Sequence, residues 1–173
     1  VHGQGKLVHA DGSVYEGEFK DGAKNGKGKL TYSDGSVYEG EFKDGKAHGQ
    51  GKKTLPGGGT YEGEWKDNEK HGKGKFSYPD GATYDGEWGV TMHGKGKYTC
   101  VSGQTYDGEW RGGIRHGEGE WTHPNGDTYD GEWKNGKKHG KGRAAVIESS
   151  DEEEADEDLP DYNHDEDFGM GGD

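Results

Sequence analysis

The sequence predicts an all-β fold made of repeated β-hairpins, and three observations point to it. A five-residue phrase with a ring at each end recurs every 22 or 23 residues, starting at Tyr15, Tyr38, Tyr61, Tyr84, Tyr106 and Tyr129. A second phrase, His-Gly-x-Gly, recurs in step with the first, with Asn25 in place of the histidine in one copy. Alternating residue character within both phrases is typical of strands, and Asp-Gly or Asn-Gly pairs between them favour tight turns. Self-similarity at this period indicates a stacked array and not a single globular core.

The first phrase predicts the first strand of each hairpin. In the first copy, Tyr15, Gly17 and Phe19 share one face, and the acidic residues between them share the other. The rings that end each phrase are therefore candidates for the core and for a surface that binds a partner. These residues are Tyr15, Phe19, Tyr38, Phe42, Tyr61, Trp65, Tyr84, Trp88, Tyr106, Trp110, Tyr129 and Trp133.

A turn and a second strand follow in each copy. The first turn is predicted at Asp21 to Lys24, and the strand after it places Gly28 and Leu30 on the ring face. In the fourth copy the interval from Tyr84 to the next histidine is one residue shorter than elsewhere. Because loops tolerate deletions, this predicts a loop at residues 89–92.

Glycine and aromatic residues replace a conventional core. The chain has 37 glycines and only 24% nonpolar residues. Glycine strands leave flat troughs where neighbouring rings can lie, and each large ring buries about 150–250 Å². On the other face, Glu16 and Glu18 neighbour Lys27 and Lys29, and such exposed pairs contribute only about 0.2–1 kcal/mol each. They are expected to set register and solubility.

These residues resemble the MORN repeat, whose pattern is Tyr-x-Gly-x-Trp, a short turn, His-Gly-x-Gly, a nonpolar pair and a Gly turn. The resemblance extends from residue 1 to about residue 146. It implies an elongated, twisted antiparallel sheet of stacked β-hairpins. It does not by itself imply one function, because MORN arrays occur in scaffold proteins, in membrane-junction proteins and as appendages of enzymes.

An acidic C-terminal tail is predicted at residues 147–173. It holds 13 of the 35 acidic residues and no Lys or Arg, so the other 22 acidic residues balance the 22 basic ones in the array. Such a segment cannot bury enough nonpolar area to order itself. It is either a solvated tail that aids solubility or an arm that binds a basic surface. Ser149 and Ser150 are candidate phosphorylation sites because an acidic residue follows each of them three positions later.

Catalytic, metal and cofactor sites are not expected. The recurring histidines lie one repeat apart, roughly 10 Å, which is too far for one ion. The Gly-Lys-Gly-Lys segment at residues 26–29 lacks the spacing of a phosphate-binding loop. Paired glutamates such as Glu62 and Glu64 lie among lysines on an open face. The one cysteine, Cys100, is interpreted as a buried filler, and no apolar run approaches membrane-spanning length.

The favoured hypothesis is a non-enzymatic scaffold subunit of a large assembly. About 13 strands would give an array whose exposed aromatic face and two sheet edges need covering. A short chain of repeats with an acidic tail most resembles the MORN subunits of the radial spoke head in motile cilia. That resemblance implies a cytoplasmic, axonemal location, a dimer with a similar MORN chain or with itself, and contacts with other spoke-head subunits. Nucleic acid is not expected as a partner.

Two alternatives stay open. A phospholipid-binding adaptor would need a basic surplus near the bilayer, whereas the array is neutral and the tail is acidic. A regulatory fragment of a larger enzyme is the other alternative, because the chain starts at Val1 without a methionine, although the acidic end looks like a natural terminus.

Overall fold

A computed structural model of the protein describes residues 2–146. Residue 1 and the acidic tail predicted at residues 147–173, with Ser149 and Ser150, lie outside the described residues. Phosphorylation of these serines stays a prediction.

The described residues form only β-strands and their connections, which confirms the predicted all-β class of antiparallel hairpins. They fall into two compact units, residues 2–79 (unit 1) and 80–146 (unit 2). The strands of unit 1 are β1 Gly3–Val8, β2 Val14–Lys20, β3 Ala23–Thr31, β4 Val37–Lys43, β5 Lys46–Thr54, β6 Thr60–Lys66 and β7 Glu69–Ser77. The strands of unit 2 are β8 Thr83–Trp88, β9 Met92–Thr99, β10 Thr105–Arg111, β11 Ile114–Thr122, β12 Thr128–Lys134 and β13 Lys137–Ala145.

We call the strands that carry the first phrase, β2, β4, β6, β8, β10 and β12, the ring strands. Two-residue turns close five of the six hairpins that begin with a ring strand. Between β2 and β3, Asp21 and Gly22 have φ of 51° and 81°, the left-handed conformation that Asp and Gly tolerate best. The sequence prediction of a turn through Lys24 was too long, because Ala23 and Lys24 already belong to β3. Lys24 pairs with Phe19 and is buried, so a residue assigned to a turn is part of the core.

Longer loops join each hairpin to the next. After β3, the N–H of Tyr32 donates to the carbonyl of Ser36 (2.8 Å). Asp34 Oδ1 accepts hydrogen bonds from the Ser36 hydroxyl (2.6 Å) and from the Ser36 N–H (2.8 Å). These two bonds hold the pKa of Asp34 below its ordinary value because they favour the charged carboxylate.

The fourth copy is one residue shorter than the others, and the missing residue falls in the turn between β8 and β9, as predicted. Residues 89–91 connect β8 to β9. The prediction was wrong for Met92, which begins β9, pairs with Trp88 and is 2% exposed. The missing residue comes from the turn because the strand position opposite Trp88 must still hold a buried side chain, here Met92.

Every ring strand contains a register shift in its pairing with the following strand. Gly17 pairs with Gly28, but Phe19 pairs with Lys24, so residues 25–27 of β3 lie opposite Glu18 alone. This β-bulge keeps the central glycines of neighbouring strands directly opposite one another. In unit 1 this glycine row is Gly5, Gly17, Gly28, Gly40, Gly51, Gly63 and Gly74.

Candidate functional site

Tyrosine rings cover the glycine row on one face of the sheet. The Tyr38 ring lies against Gly51 of the neighbouring strand, where a Cβ atom would overlap the ring. The Tyr38 hydroxyl donates to the Glu41 carbonyl (2.7 Å), so its polar end is satisfied. Burial raises the pKa of Tyr38 and lifts that of Tyr15 to about 12. The glycines therefore serve as contact surface for rings.

The rings also contact one another edge to face, from one repeat to the next. The Tyr38 centroid lies 5.0 Å from Phe42 on its own strand and 5.2 Å from Trp65 of the following repeat. In unit 2, Trp110 lies 5.1 Å from Tyr106 and 5.3 Å from Tyr84. Its indole N–H donates to the Gly96 carbonyl (2.9 Å). This edge-to-face geometry is the one that aromatic quadrupoles favour.

The expectation of an exposed aromatic face was wrong for the described part of the chain. Eleven of the twelve rings singled out from the sequence are buried, and Tyr129 is half-buried. The physical reason is that each of the six tyrosine rings contacts a glycine of the following strand, and the rings of successive repeats contact one another edge to face. The rings are core residues, and their contact with a partner stays a prediction.

A glutamate fills each bulge. Glu41 Oε2 accepts a hydrogen bond from the N–H of Gln50, a residue that the bulge leaves without an opposite residue on β4. The carboxylate lies against Gly49, which has φ of 82° and no side chain in the way. The equivalent pairs are Glu18–Lys27, Glu64–Lys73, Glu87–Lys95 and Glu109–Glu118. The alternating pattern of the sequence predicts a surface ion pair for Glu18 and gives no sign of this backbone role.

Replacing Glu41 with alanine is expected to lower the free energy of unfolding by about 1–3 kcal/mol, because a charge-assisted bond to a bulge N–H is lost. Glu39 provides the matched control, because it is an exposed glutamate on the same strand and its replacement should cost less than about 0.5 kcal/mol. Urea unfolding measures both. Equal losses from the two substitutions would contradict the backbone role.

Buried cations are a second feature that the alternating pattern does not predict. Lys24, Lys70 and Arg115 are each less than 10% exposed and occupy the strand position opposite a ring. The Arg115 guanidinium lies 4.8 Å from the Trp133 ring centroid, within cation–π range. The signal available in the sequence was that this position, one residue before the His or Asn of the second phrase, is basic in four of six copies.

Lys53 is a further buried cation, in the position that Leu30 occupies one repeat earlier. Its side chain is 3% exposed and lies between Tyr38 and Tyr61 in the strand register. Its Nζ is 5.0 Å from the Tyr32 ring centroid. Burial lowers the pKa of Lys53 to about 8, and the nearby Asp34 carboxylate opposes part of that shift.

The opposite face of the sheet is charged and open. In unit 1, one exposed side chain from each strand forms a row in which lysine and glutamate alternate. This Lys–Glu row consists of Lys6, Glu16, Lys29, Glu39, Lys52, Glu62 and Lys75. The register places opposite charges side by side, as the sequence predicted.

The remaining candidates for chemistry do not converge. Within residues 2–146, no three His, Cys, Asp or Glu side chains come together in a group that could hold a metal ion. His2 Nδ1 accepts a hydrogen bond from the Asp21 N–H (3.3 Å), and Cys100 is buried, as expected. No helix in the same range is long and apolar enough to cross a membrane.

Comparison with known proteins gives one family match. The model of the MORN repeat matches residues 2–14, 15–37, 38–60, 61–83, 91–105, 106–128 and 129–144. These segments cover most of the chain. A comparison with curated proteins finds no match.

Several solved structures are similar. The TCP domain of SAS-4 from Drosophila melanogaster, in complex with a proline-rich motif of Ana2, is 12% identical, with a TM-score of 0.45, over 83% of this chain and 90% of that one. The TCP10c domain of Drosophila melanogaster Sas-4 is 11% identical, with a TM-score of 0.44, over 83% and 99%. The wild-type TCP10 domain of Danio rerio CPAP is 16% identical, with a TM-score of 0.29, over 74% and 72%.

Proposed function

This chain belongs to the MORN repeat family, and we propose that it is a non-enzymatic scaffold subunit of the radial spoke head in the axoneme of cilia or flagella. The observation that carries the proposal is the repeat itself. Seven matched segments span residues 2–144, and the repeats bury their own rings while exposing a charged face in each copy. Such a surface suits contacts with other proteins along its length.

Short chains of MORN repeats with an acidic tail resemble the spoke-head subunits of this family, which supports the finer part of the proposal. The tail would supply −13 of net charge beside a neutral array. The partners proposed are a second MORN chain and other spoke-head subunits. The location proposed is the cytoplasmic axoneme.

Proximity labelling in a ciliated cell that expresses the protein tests this proposal. A labelling enzyme fused to the full chain is expected to mark spoke-head and other axonemal proteins, and deletion of the gene should impair motility. A control fusion confined to the ciliary membrane separates axonemal neighbours from membrane ones. A neighbour list made of membrane proteins, with motility unchanged after deletion, would overturn the proposal and favour the lipid-adaptor alternative.

A further inference from the structure

The outer edge of β13 has no strand paired with it among the described residues. β13 carries the second phrase, as β3, β5, β9 and β11 do, and it pairs with the ring strand β12 on one side. Each of those four strands also pairs with the ring strand that follows it. An open strand edge is a template for a further strand. β13 therefore presents the edge that a ring strand covers in the other repeats.

Nonpolar surface is left open beside this edge. Ala144 of β13 is exposed, whereas five residues at its position in earlier repeats are buried: Leu30, Lys53, Phe76, Tyr98 and Trp121. Tyr129, which pairs with Ala144, is half-buried. The five tyrosines at its position are buried: Tyr15, Tyr38, Tyr61, Tyr84 and Tyr106. A strand added at this edge would cover Ala144 and more of the Tyr129 ring.

Charge at this edge favours acidic residues on an added strand. β13 contains four basic residues and no acidic one. Arg143 is exposed and pairs with Asp130 of β12. Its equivalents Lys29 and Lys52 each lie between two acidic residues in the register, one on either neighbouring strand. An acidic residue on the added strand would complete the same arrangement for Arg143, whereas a basic residue there would be repelled.

A tryptophan near the end of the added strand would make two further contacts. In three repeats the ring-strand tryptophan donates its indole N–H to the carbonyl of the central glycine on the preceding strand, at 2.9–3.0 Å. These pairs are Trp65–Gly51, Trp110–Gly96 and Trp133–Gly119. The same three rings lie 5.1–5.3 Å from the tyrosine of the preceding repeat. The equivalent groups at this edge are the Gly142 carbonyl and the Tyr129 ring.

Another protein is a better source of such a strand than a second copy of this chain. Five of the six ring strands, β2, β4, β6, β10 and β12, are already paired on both sides. Pairing β13 with β13 of a second copy would bring two strongly basic strands together. Residues 147–173 contain no Tyr-x-Gly-x-Trp phrase.

We propose that the outer edge of β13 binds an extended segment of a partner protein with the pattern Tyr-acid-Gly-acid-Trp, as an added antiparallel strand. In the register that the other pairs share, its tyrosine lies opposite Ala144, its first acidic residue opposite Arg143 and its tryptophan opposite Gly140. The inference rests on the proposed scaffold role and names one partner segment. Its peptide-binding test does not depend on axonemal location.

Fluorescence anisotropy with the full chain and the labelled peptide Thr-Tyr-Asp-Gly-Glu-Trp-Lys tests the inference. One control, Thr-Tyr-Asn-Gly-Gln-Trp-Lys, removes the two acidic groups, and the other, Trp-Tyr-Gly-Thr-Lys-Glu-Asp, has the same composition in a different order. We expect the acidic peptide to bind about fivefold more tightly than the first control and about tenfold more tightly than the second. Because the chain has a net charge of −13, non-specific attraction would favour the first control instead. Equal binding of the three peptides, or binding of none, would overturn the proposal.

A matched pair of substitutions locates the site. Arg143→Glu should weaken binding of the acidic peptide about fivefold. Arg111→Glu makes the same change at an exposed position on β10 and should alter binding less than about twofold. In the wild type, the peptide should slow hydrogen exchange in β13 more than in β10. Equal losses from the two substitutions would overturn the proposal.

Sedimentation of the full chain tests the second copy as the occupant. A dimer that Arg143→Glu abolishes or strengthens, with no peptide discrimination, would assign this edge to a second copy and overturn the proposal. A protein that labels axonemal neighbours but discriminates between none of the peptides would refute this inference alone.

Discussion

Replacing Trp110 with alanine is expected to lower the free energy of unfolding by about 3–5 kcal/mol. The side chain is 4% exposed, its ring meets Tyr84 and Tyr106, and its N–H donates to the Gly96 carbonyl. Alanine would leave a cavity between two repeats and an unsatisfied carbonyl. Urea unfolding of the full chain measures the loss.

Two controls and one local readout sharpen the Trp110 experiment. Trp110→Phe keeps a ring and should cost less than alanine, and Val101→Ala changes a side chain that is 64% exposed and should cost almost nothing. Because repeats interact mainly with their neighbours, hydrogen exchange should increase most in the hairpins next to Trp110 and least near Tyr15. An unchanged unfolding midpoint would show that the ring is not part of the core.

Replacing Lys53 with methionine is expected to stabilise the protein by about 1–3 kcal/mol at pH 7. The Lys53 side chain is buried. In four other repeats the equivalent position holds a buried hydrophobic residue: Leu30, Phe76, Tyr98 or Trp121. Methionine fills similar space without the cost of removing a charge from water. The lost contacts with the Tyr32 ring and Asp34 offset only part of the gain.

The stabilisation by Lys53→Met should depend on pH in a defined direction. The pKa of Lys53 is about 8 in the folded chain and about 10.5 when unfolded, so the unfolded chain binds more protons between these values. The free energy of unfolding of the wild type therefore rises relative to that of the variant as pH increases from about 8 to about 10.5. The stability advantage of the variant shrinks over the same pH range. Below about pH 8, Lys53 is charged in both states, so the variant should keep its whole stability advantage at a constant value.

Lys52→Met is the matched control, because Lys52 is an exposed neighbour and should show no such pH dependence. Tyrosine ionisation at high pH affects wild type and variant alike, so it cancels in the difference. A difference that does not change with pH, or a variant less stable than wild type at pH 7, would contradict the burial of a charged amine at this position.

The hairpins, their turns and the ring core could be predicted because the repeat displays each of them six times. Alternation fixed the faces of Tyr15, Gly17 and Phe19, and Asp-Gly pairs located the turns. The bulge could not be predicted, because alternation assumes one residue opposite each partner. That assumption placed Glu18 in an ion pair. The gap between the two phrases placed Lys24 in a turn, and the one-residue deletion placed Met92 in a loop, whereas the structure uses all three inside the hairpins.

Whether the rings are buried or exposed also could not be predicted from the sequence, because it depends on contacts between repeats. Composition shows how many rings there are but not whether a neighbouring repeat covers them. Gly28 and Gly51 have no side chain, so the Tyr15 and Tyr38 rings pack directly against the neighbouring strand and are fully buried. The charged face is therefore the surface that these repeats leave open in unit 1.

Cross-linking mass spectrometry on isolated axonemes tests the proposed scaffold role most directly. An amine-reactive cross-linker should join Lys29, Lys52 and Lys75 of the charged face to other spoke-head proteins, because these side chains are exposed. Recovery of the protein with membranes, or cross-links only to proteins outside the axoneme, would contradict the role proposed for this chain.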